Sequence, residues 1–201
     1  MYVINAGELS KKENYRMLTS IVTPRPIAFI SSLSGDGILN AAPFSYFNIV
    51  SADPPLISVA VGRKDGKQKD TAVNILETKE FVVHVTDEDN VKEVNETSAG
   101  LPPEQSEVDK AGLTPVVSST VAVPSIKEST VRLECRLEHH QVFDGEDSST
   151  DLIIGRILSY SIEDNLIKDG RVQTEKMKPV SRLGGKKYAR LGKVFELDRP
   201  E

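Results

Sequence analysis

The segment Val131 to Glu138 reads Val-Arg-Leu-Glu-Cys-Arg-Leu-Glu, and it constrains the fold more tightly than any other stretch of this chain. Val131, Leu133, Cys135 and Leu137 share one face, and Arg132, Glu134, Arg136 and Glu138 share the other. A period of two is the signature of a strand, because successive side chains point to opposite sides of the pleat. One apolar and one charged face indicate a half-exposed strand of an antiparallel sheet. Leu152 to Ile162 is a suitable partner across the polar turn Asp144 to Ser149. Further strands are expected at Ile27–Ser32, from Ile38 onward after the turn Ser34-Gly35-Asp36-Gly37, at Leu56–Val61 (largely apolar on both faces) and at Phe81–Val85. Helical spacing is confined to Asn14–Val22, about Thr71–Lys79 and Asp89–Glu96. Strands outnumber helices and do not alternate with them regularly. The expected fold is therefore mainly β with peripheral helices, an antiparallel barrel.

A length of 201 residues suits one such domain, 1–201, with its core from about 15 to 197. A net charge of −5 with no basic face argues against nucleic acid as a partner. Cys135 is the only cysteine, which excludes an internal disulfide, a CxxC redox pair and a cysteine-rich zinc site. Met1 to Glu8 lacks the basic-then-apolar pattern of a leader, and no apolar run approaches ~18 residues. The expectation is a cytoplasmic protein with no membrane segment.

Common catalytic signatures are missing: there is no GxSxG elbow, no Walker loop and no GxGxxG. His84 lies inside an apolar strand and reads as a satisfied sheet histidine. His139 and His140 are adjacent on a strand, so they point to opposite faces and cannot share a metal. Cys135, on the apolar face, reads as an inert core thiol. From Ser98 to Ser129 four prolines interrupt any period. This excursion is either a lid or partner contact, or a surface wrap with a small helix at Glu107–Ala111.

Two stretches suggest a ligand. Asn40-Ala-Ala-Pro-Phe-Ser-Tyr-Phe-Asn48 mixes small, aromatic and polar residues. It is either an irregular strand end before the turn at Asp53-Pro54-Pro55 or a wall for a flat, partly polar ligand. Arg63, Lys64, Lys67 and Lys69 then lead into a helix near Thr71. Free N–H groups and the positive dipole end of a helix suit a phosphate, to which the Thr71 hydroxyl can add a hydrogen bond. The plainer alternative is a solvated basic loop with Asp70 as N-cap. Arg25, held between Pro24 and Pro26, is a second candidate for an anion.

Thr23-Pro-Arg-Pro-Ile-Ala-Phe-Ile-Ser31, Asn40 to Asn48, Asp53-Pro-Pro55, Lys69-Asp-Thr71, Phe81-Val-Val83, Ser106 to Leu113, Leu133 to Leu137 and Arg182-Leu-Gly-Gly185 with Tyr188 together resemble the flavin reductase-like family. These are FMN-binding split-barrel flavoproteins, a group that includes flavoredoxin. The resemblance implies a split barrel, non-covalent FMN and a homodimer. It implies that Phe44, Ser45, Tyr46, Phe47 and Asn48 line the isoalloxazine. Arg63, Lys69 and Thr71 would hold the 5′-phosphate, with Asp70 fixing the turn and Arg25 reaching the phosphate or ribityl chain. Arg182 and Tyr188 are weaker candidates that close the site on the substrate side. The implied activity is an FMN-dependent oxidoreductase using NAD(P)H. An electron carrier fed by a protein partner and a flavin-binding protein without turnover are the alternatives. The flavin carries such chemistry, so no protein acid, base or nucleophile is required.

Overall fold

The computed structural model describes residues 1–200. After the N-terminal segment come α1 (Lys11–Ile21), β1 (Arg25–Pro26), β2 (Ala28–Leu33), β3 (Leu39–Phe44), β4 (Phe47–Ala52), β5 (Pro55–Gly62), α2 (Asp70–Thr78), β6 (Glu80–Val85) and α3 (Val91–Glu96). The excursion holds α4 (Glu107–Lys110), β7 (Pro115–Val116) and β8 (Ser125–Ile126). Two long strands follow, β9 (Val131–Asp144) and β10 (Ser149–Ile162), then β11 (Ile167–Lys168), β12 (Arg171–Val172), α5 (Thr174–Met177), β13 (Val180–Arg182) and β14 (Tyr188–Arg190).

Seven strands form the main sheet in the order β3-β2-β6-β9-β10-β5-β4, and every pairing is antiparallel. Its two edge strands, β3 and β4, are separated in the chain only by Ser45 and Tyr46. The sheet therefore rolls until its edges approach at that corner, and one core fills the interior. Ala28 and Ile30 of β2, Ile57, Val59 and Val61 of β5, Phe81 and Val83 of β6, Cys135 of β9 and Ile153 and Ile157 of β10 meet there, with Ile75 of α2 as a plug. The antiparallel barrel expected from the Val131–Glu138 alternation is the fold observed. On β5 only Ile57, Val59 and Val61 are buried, so that strand alternates despite its apolar composition.

Several boundaries differ from expectation for local reasons. α1 begins at Lys11 rather than Asn14, because Ser10 and Glu13 form a capping box that adds a turn. Phe47–Ala52 is an edge strand rather than part of an irregular strand end, paired to β5. A strand outside those expected, β13, pairs with both β1 and β14.

The 98–129 excursion wraps the outer face of the sheet. Val108, Leu113 and Ile126 pack on Phe29 and Ala41, while Val121 and Val123 pack on Val82. This cover corrects one face assignment on β9. Glu134 was expected toward solvent, yet it is 1% exposed. Its carboxylate accepts from the Ser119 amide and hydroxyl and from the Thr120 and Val121 amides. Burial opposes its charge, but the Ser119 and Thr120 donors outweigh burial and lower its pKa. His84 is equally satisfied: Nδ1 meets the Phe29 carbonyl at 3.0 Å and Nε2 accepts from the Ile126 amide at 2.9 Å. Cys135 is fully buried, and burial pushes its thiol well above the usual range.

Candidate functional site

The site lies where β3 leaves the barrel and α2 begins. Between β5 and α2 the chain makes a tight turn, with Lys64 and Lys67 bridged and Asp65 and Gly66 both at positive φ. That geometry suits Gly66 and is one of the few places where this chain needs a glycine. Lys69 is the N-cap of α2, and no side chain caps the helix. The expectation that Asp70 caps it is corrected: Asp70 is the first helical residue. An uncapped N-terminus leaves first-turn N–H groups available, in a positive local field.

A cavity of about 480 Å³ opens in front of this end of the helix, lined by Lys64, Lys67, Lys69, Asp70, Thr71 and the 97–101 segment. A second, of about 390 Å³, shares Pro43, Lys69 and Ser98 with the first. It continues past Phe44 and Ser45 to Tyr15, Arg182 and Tyr188. The Lys69 ammonium joins the two, 5.5 Å from the Phe44 ring centroid. Desolvation and the neighbouring Lys64 lower its pKa. A third cavity of about 360 Å³ shares Arg25 and Ser45 with the second and is lined by Tyr46, Phe47, Asn48, Leu18 and Val22.

Not every expected residue faces this cleft as anticipated. Arg25 lines the second and third cavities, but four of its five guanidinium N–H groups are engaged within the chain. Nη1 donates to Thr19 and Val22 at 2.8 and 2.6 Å, and Nη2 donates to Leu183 at 3.1 Å. Its Nε donates to Ser45 Oγ at 3.4 Å. It is a clasp joining the end of α1, the residue after β13 and the Ser45 corner. Arg63 lines none of the three cavities, and its side chain forms a two-pronged pair with Asp151, both contacts 2.9 Å. The Thr71 hydroxyl donates its one proton to Asn40 Oδ1 at 2.9 Å, and Asn40 in turn donates to Glu107 at 2.9 Å. What Thr71 can present to an anion is thus its backbone N–H. Burial raises the Glu107 pKa. Arg182 donates to the Tyr188 hydroxyl and stacks on its ring at 4.6 Å, and Tyr188 donates to Asn95 at 2.9 Å.

The pairing of Asn40 with Glu107, the contact of Asn95 with Tyr188 and the Asp151 cluster were not anticipated. Asp151 did carry a signal. It is in phase with Ile153, Gly155 and Ile157 on the inward face of β10, where an ion needs partners.

The flavin reductase like domain profile matches residues 20–176. This chain belongs to the flavin reductase-like family. Among solved structures, nitrilotriacetate monooxygenase component B from Bacillus cereus is 49% identical with a TM-score of 0.95, covering 98% of both chains. The 2-nitrobenzoate 2-nitroreductase of Pseudomonas fluorescens is 32% identical with a TM-score of 0.88, covering 99% of this chain and 96% of that one. A Shewanella frigidimarina protein with a split barrel domain is 22% identical with a TM-score of 0.83 over 96% of each chain, which shows the shared fold. Family membership supports a flavin-related oxidoreductase role. The cleft of this family member fits a flavin nucleotide on its own geometry: a cationic helix N-terminus for a phosphate, then a partly apolar run beside Pro43 and Phe44 for a ring. No helix among the described residues is long and apolar enough to cross a membrane.

Proposed function

We propose that this protein binds FMN non-covalently and works as an NAD(P)H-dependent flavin reductase-like oxidoreductase. The observation that carries the reading is the run of adjoining cavities, from the uncapped α2 end with Lys64, Lys67 and Lys69 past Phe44 and Ser45 to Tyr46, Phe47 and Asn48. When bound, FMN supplies the hydride and electron chemistry. The chain's own residues bind and orient it. Lys64, Lys67 and Lys69 and the first-turn N–H groups hold the 5′-phosphate, Phe44 and Pro43 exclude water from one side, and Ser45 and Asn48 offer polar contacts to the ring edge. Arg63 acts behind this surface rather than on the ligand, and Arg25 braces the wall at Ser45. Arg182, Tyr188 and Asn95 form the far wall.

A homodimer is the proposed working form. Leu18 and Ile21 of α1 and its C-cap Val22 are 54%, 73% and 57% exposed, and Ile49 and Val50 of the edge strand β4 are 76% and 50% exposed. These apolar side chains flank the Phe44–Asn48 corner and need a cover, which a second copy provides. The electron acceptor is a small molecule or a protein partner, consistent with similarity to a monooxygenase component and to a nitroreductase.

The test is the visible spectrum of the purified protein, repeated after denaturation and filtration. Flavin bands that pass into the filtrate are expected, followed by bleaching of the bound flavin with NADH or NADPH under exclusion of air. A chain that is colourless and fails to bind added FMN refutes the reading. Bound flavin that stays oxidised with both nucleotides but accepts electrons from a reduced redox protein refutes the NAD(P)H step alone. Light scattering on the eluting peak decides the dimer.

A further inference from the structure

Asp151 is a fully buried carboxylate, and it touches none of the three cavities. A charge there is tolerated only with donors around it, and four contacts are present. Oδ2 accepts from Arg63 Nε at 2.9 Å. Oδ1 meets Arg63 Nη2, Gln68 Nε2 and His140 Nε2, each at 2.9 Å. The Arg63 guanidinium, with further help from His140 and Gln68, holds the Asp151 carboxyl at about 2, well below the usual range.

The partners have a pattern. Arg63 is the first residue after β5 and Gln68 immediately precedes the N-cap Lys69. One carboxylate on a rigid strand therefore holds both feet of the turn that carries Lys64, Lys67 and Lys69. Inside the turn, the Arg63 amide donates to the Ser149 carbonyl, and Lys64 and Lys67 exchange backbone hydrogen bonds at 3.0 and 2.9 Å. The turn has no buried apolar side chain of its own to hold it, since residues 64–67 are all exposed. Its position is set from below, by an ion that lies on the barrel wall. Arg63 is neutralised in doing so, which leaves the three lysines as the free cations of the loop.

We propose that Asp151 is the positioning residue for this anion-binding loop, placing Lys69 and the α2 N-terminus for a phosphate without touching it. The inference rests on the FMN reading above for its ligand, but the fixing of the loop is a property of the chain alone. An Asp151→Asn side chain keeps the shape and loses the charge. It also turns an amide donor toward Arg63, Gln68 or His140, all of which are donors here.

The experiment compares FMN with riboflavin, which lacks the phosphate, in binding titrations of the full chain. Asp151→Asn is expected to weaken FMN by about tenfold, the equivalent of one charge-assisted contact set out of place, and to leave riboflavin unchanged. In a Lys69→Ala background the same substitution is expected to cost little more, because both act on one contact. Equal loss of both ligands, or additive loss with Lys69→Ala, overturns the inference. Should Asp151→Asn fail to fold, Gln68→Ala removes one foot alone, and an unchanged preference for FMN over riboflavin in that variant overturns it as well. A wild-type chain that binds neither flavin refutes the function proposed above. The loop claim is then read by hydrogen exchange at the Arg63, Lys64 and Lys67 amides. These are expected to exchange faster in Gln68→Ala and in Asp151→Asn, and unchanged exchange overturns it.

Discussion

Acid should destabilise this protein through a single buried ring, and the size of the effect can be worked from the structure. His84 is 0% exposed on β6, with one ring nitrogen against the Phe29 carbonyl and the other accepting from the Ile126 amide. That pairing places the proton on Nδ1 and keeps the imidazole neutral. A second proton on Nε2 would face the Ile126 N–H. Burial lowers the pKa from 6.5 to about 4, opposed by the Phe29 carbonyl and assisted by Arg132. The unfolded chain therefore takes up a proton that the folded chain refuses. The stabilisation is complete above pH 6.5, is lost as pH falls toward about 4, and changes no further below that. At ~1.36 kcal/mol per pH unit, the loss is ~3 kcal/mol, a large part of a typical net stability of roughly 5–15 kcal/mol. Chemical denaturation followed by far-ultraviolet circular dichroism suits a chain without tryptophan. Wild type and the non-titrating His84→Gln are compared at pH 7 and pH 4. Carboxylates elsewhere titrate in both proteins and cancel. The stability difference between the two should shrink by ~3 kcal/mol on acidification. A difference that stays constant with pH refutes the neutral, doubly bonded assignment.

Lys69→Ala should weaken FMN retention by ~1.5–3 kcal/mol, read by titration, because it removes a charge-assisted contact at the junction of two cavities. Gly155→Ala would place a methyl group 2.3 Å from Phe81 Cζ, inside a fully buried ring, and should cost ~1–3 kcal/mol in denaturation as overpacking. Glu134→Ala strands the Ser119, Thr120 and Val121 amides and should cost at least ~1.5–3 kcal/mol, with faster hydrogen exchange at those three positions. Cys135→Ser should keep flavin binding and turnover while losing ~1–3 kcal/mol of stability, since a hydroxyl replaces a core thiol. Loss of turnover in a folded Cys135→Ser protein would give the thiol a role that its burial argues against.

The barrel was legible because its evidence is local. Val131 to Glu138 alternates, the Ser34–Gly37 turn is built of turn residues, and His84 sits in an apolar run, so each element announced itself within about ten residues. Glu134 was misplaced for the opposite reason. Its partners are contributed by Ser119 to Val121, a segment without period, and nothing in Val131–Glu138 shows that a distant loop will cover that face. The site followed the same division. The cationic run before α2 and the Phe44–Asn48 corner were readable as stretches, and Lys64, Lys67, Lys69 and the five corner residues line adjoining cavities. Which of their polar groups are already engaged within the chain was not readable, because Asp151 for Arg63, Asn40 for Thr71 and the Leu183 carbonyl for Arg25 all come from elsewhere in the chain.

Arginine and lysine divide the work around this cleft along the lines of their chemistry. A guanidinium offers five donors in a fixed plane and tolerates burial when those donors are met; an ammonium is a compact charge on a flexible stem. Arg25, 7% exposed, ties three carbonyls and Ser45 together, and Arg63 locks both oxygens of Asp151. Each arginine joins elements far apart in sequence, Arg25 with four of its five N–H donors and Arg63 with the paired Nε and Nη2 edge. The lysines at 64, 67 and 69 have no ion-pair partner among the described residues, and all three line the same cavity. An incoming anion therefore meets cations that need not first be released from a carboxylate. Arg63→Lys should accordingly be no mild exchange: a lysine there could not grip both Asp151 oxygens in one plane, and one foot of the turn would be freed. The measurable result is FMN affinity falling in Arg63→Lys although positive charge at the position is conserved. Retention of full affinity would mean that charge at position 63, and not its two-pronged grip on Asp151, is what the loop requires.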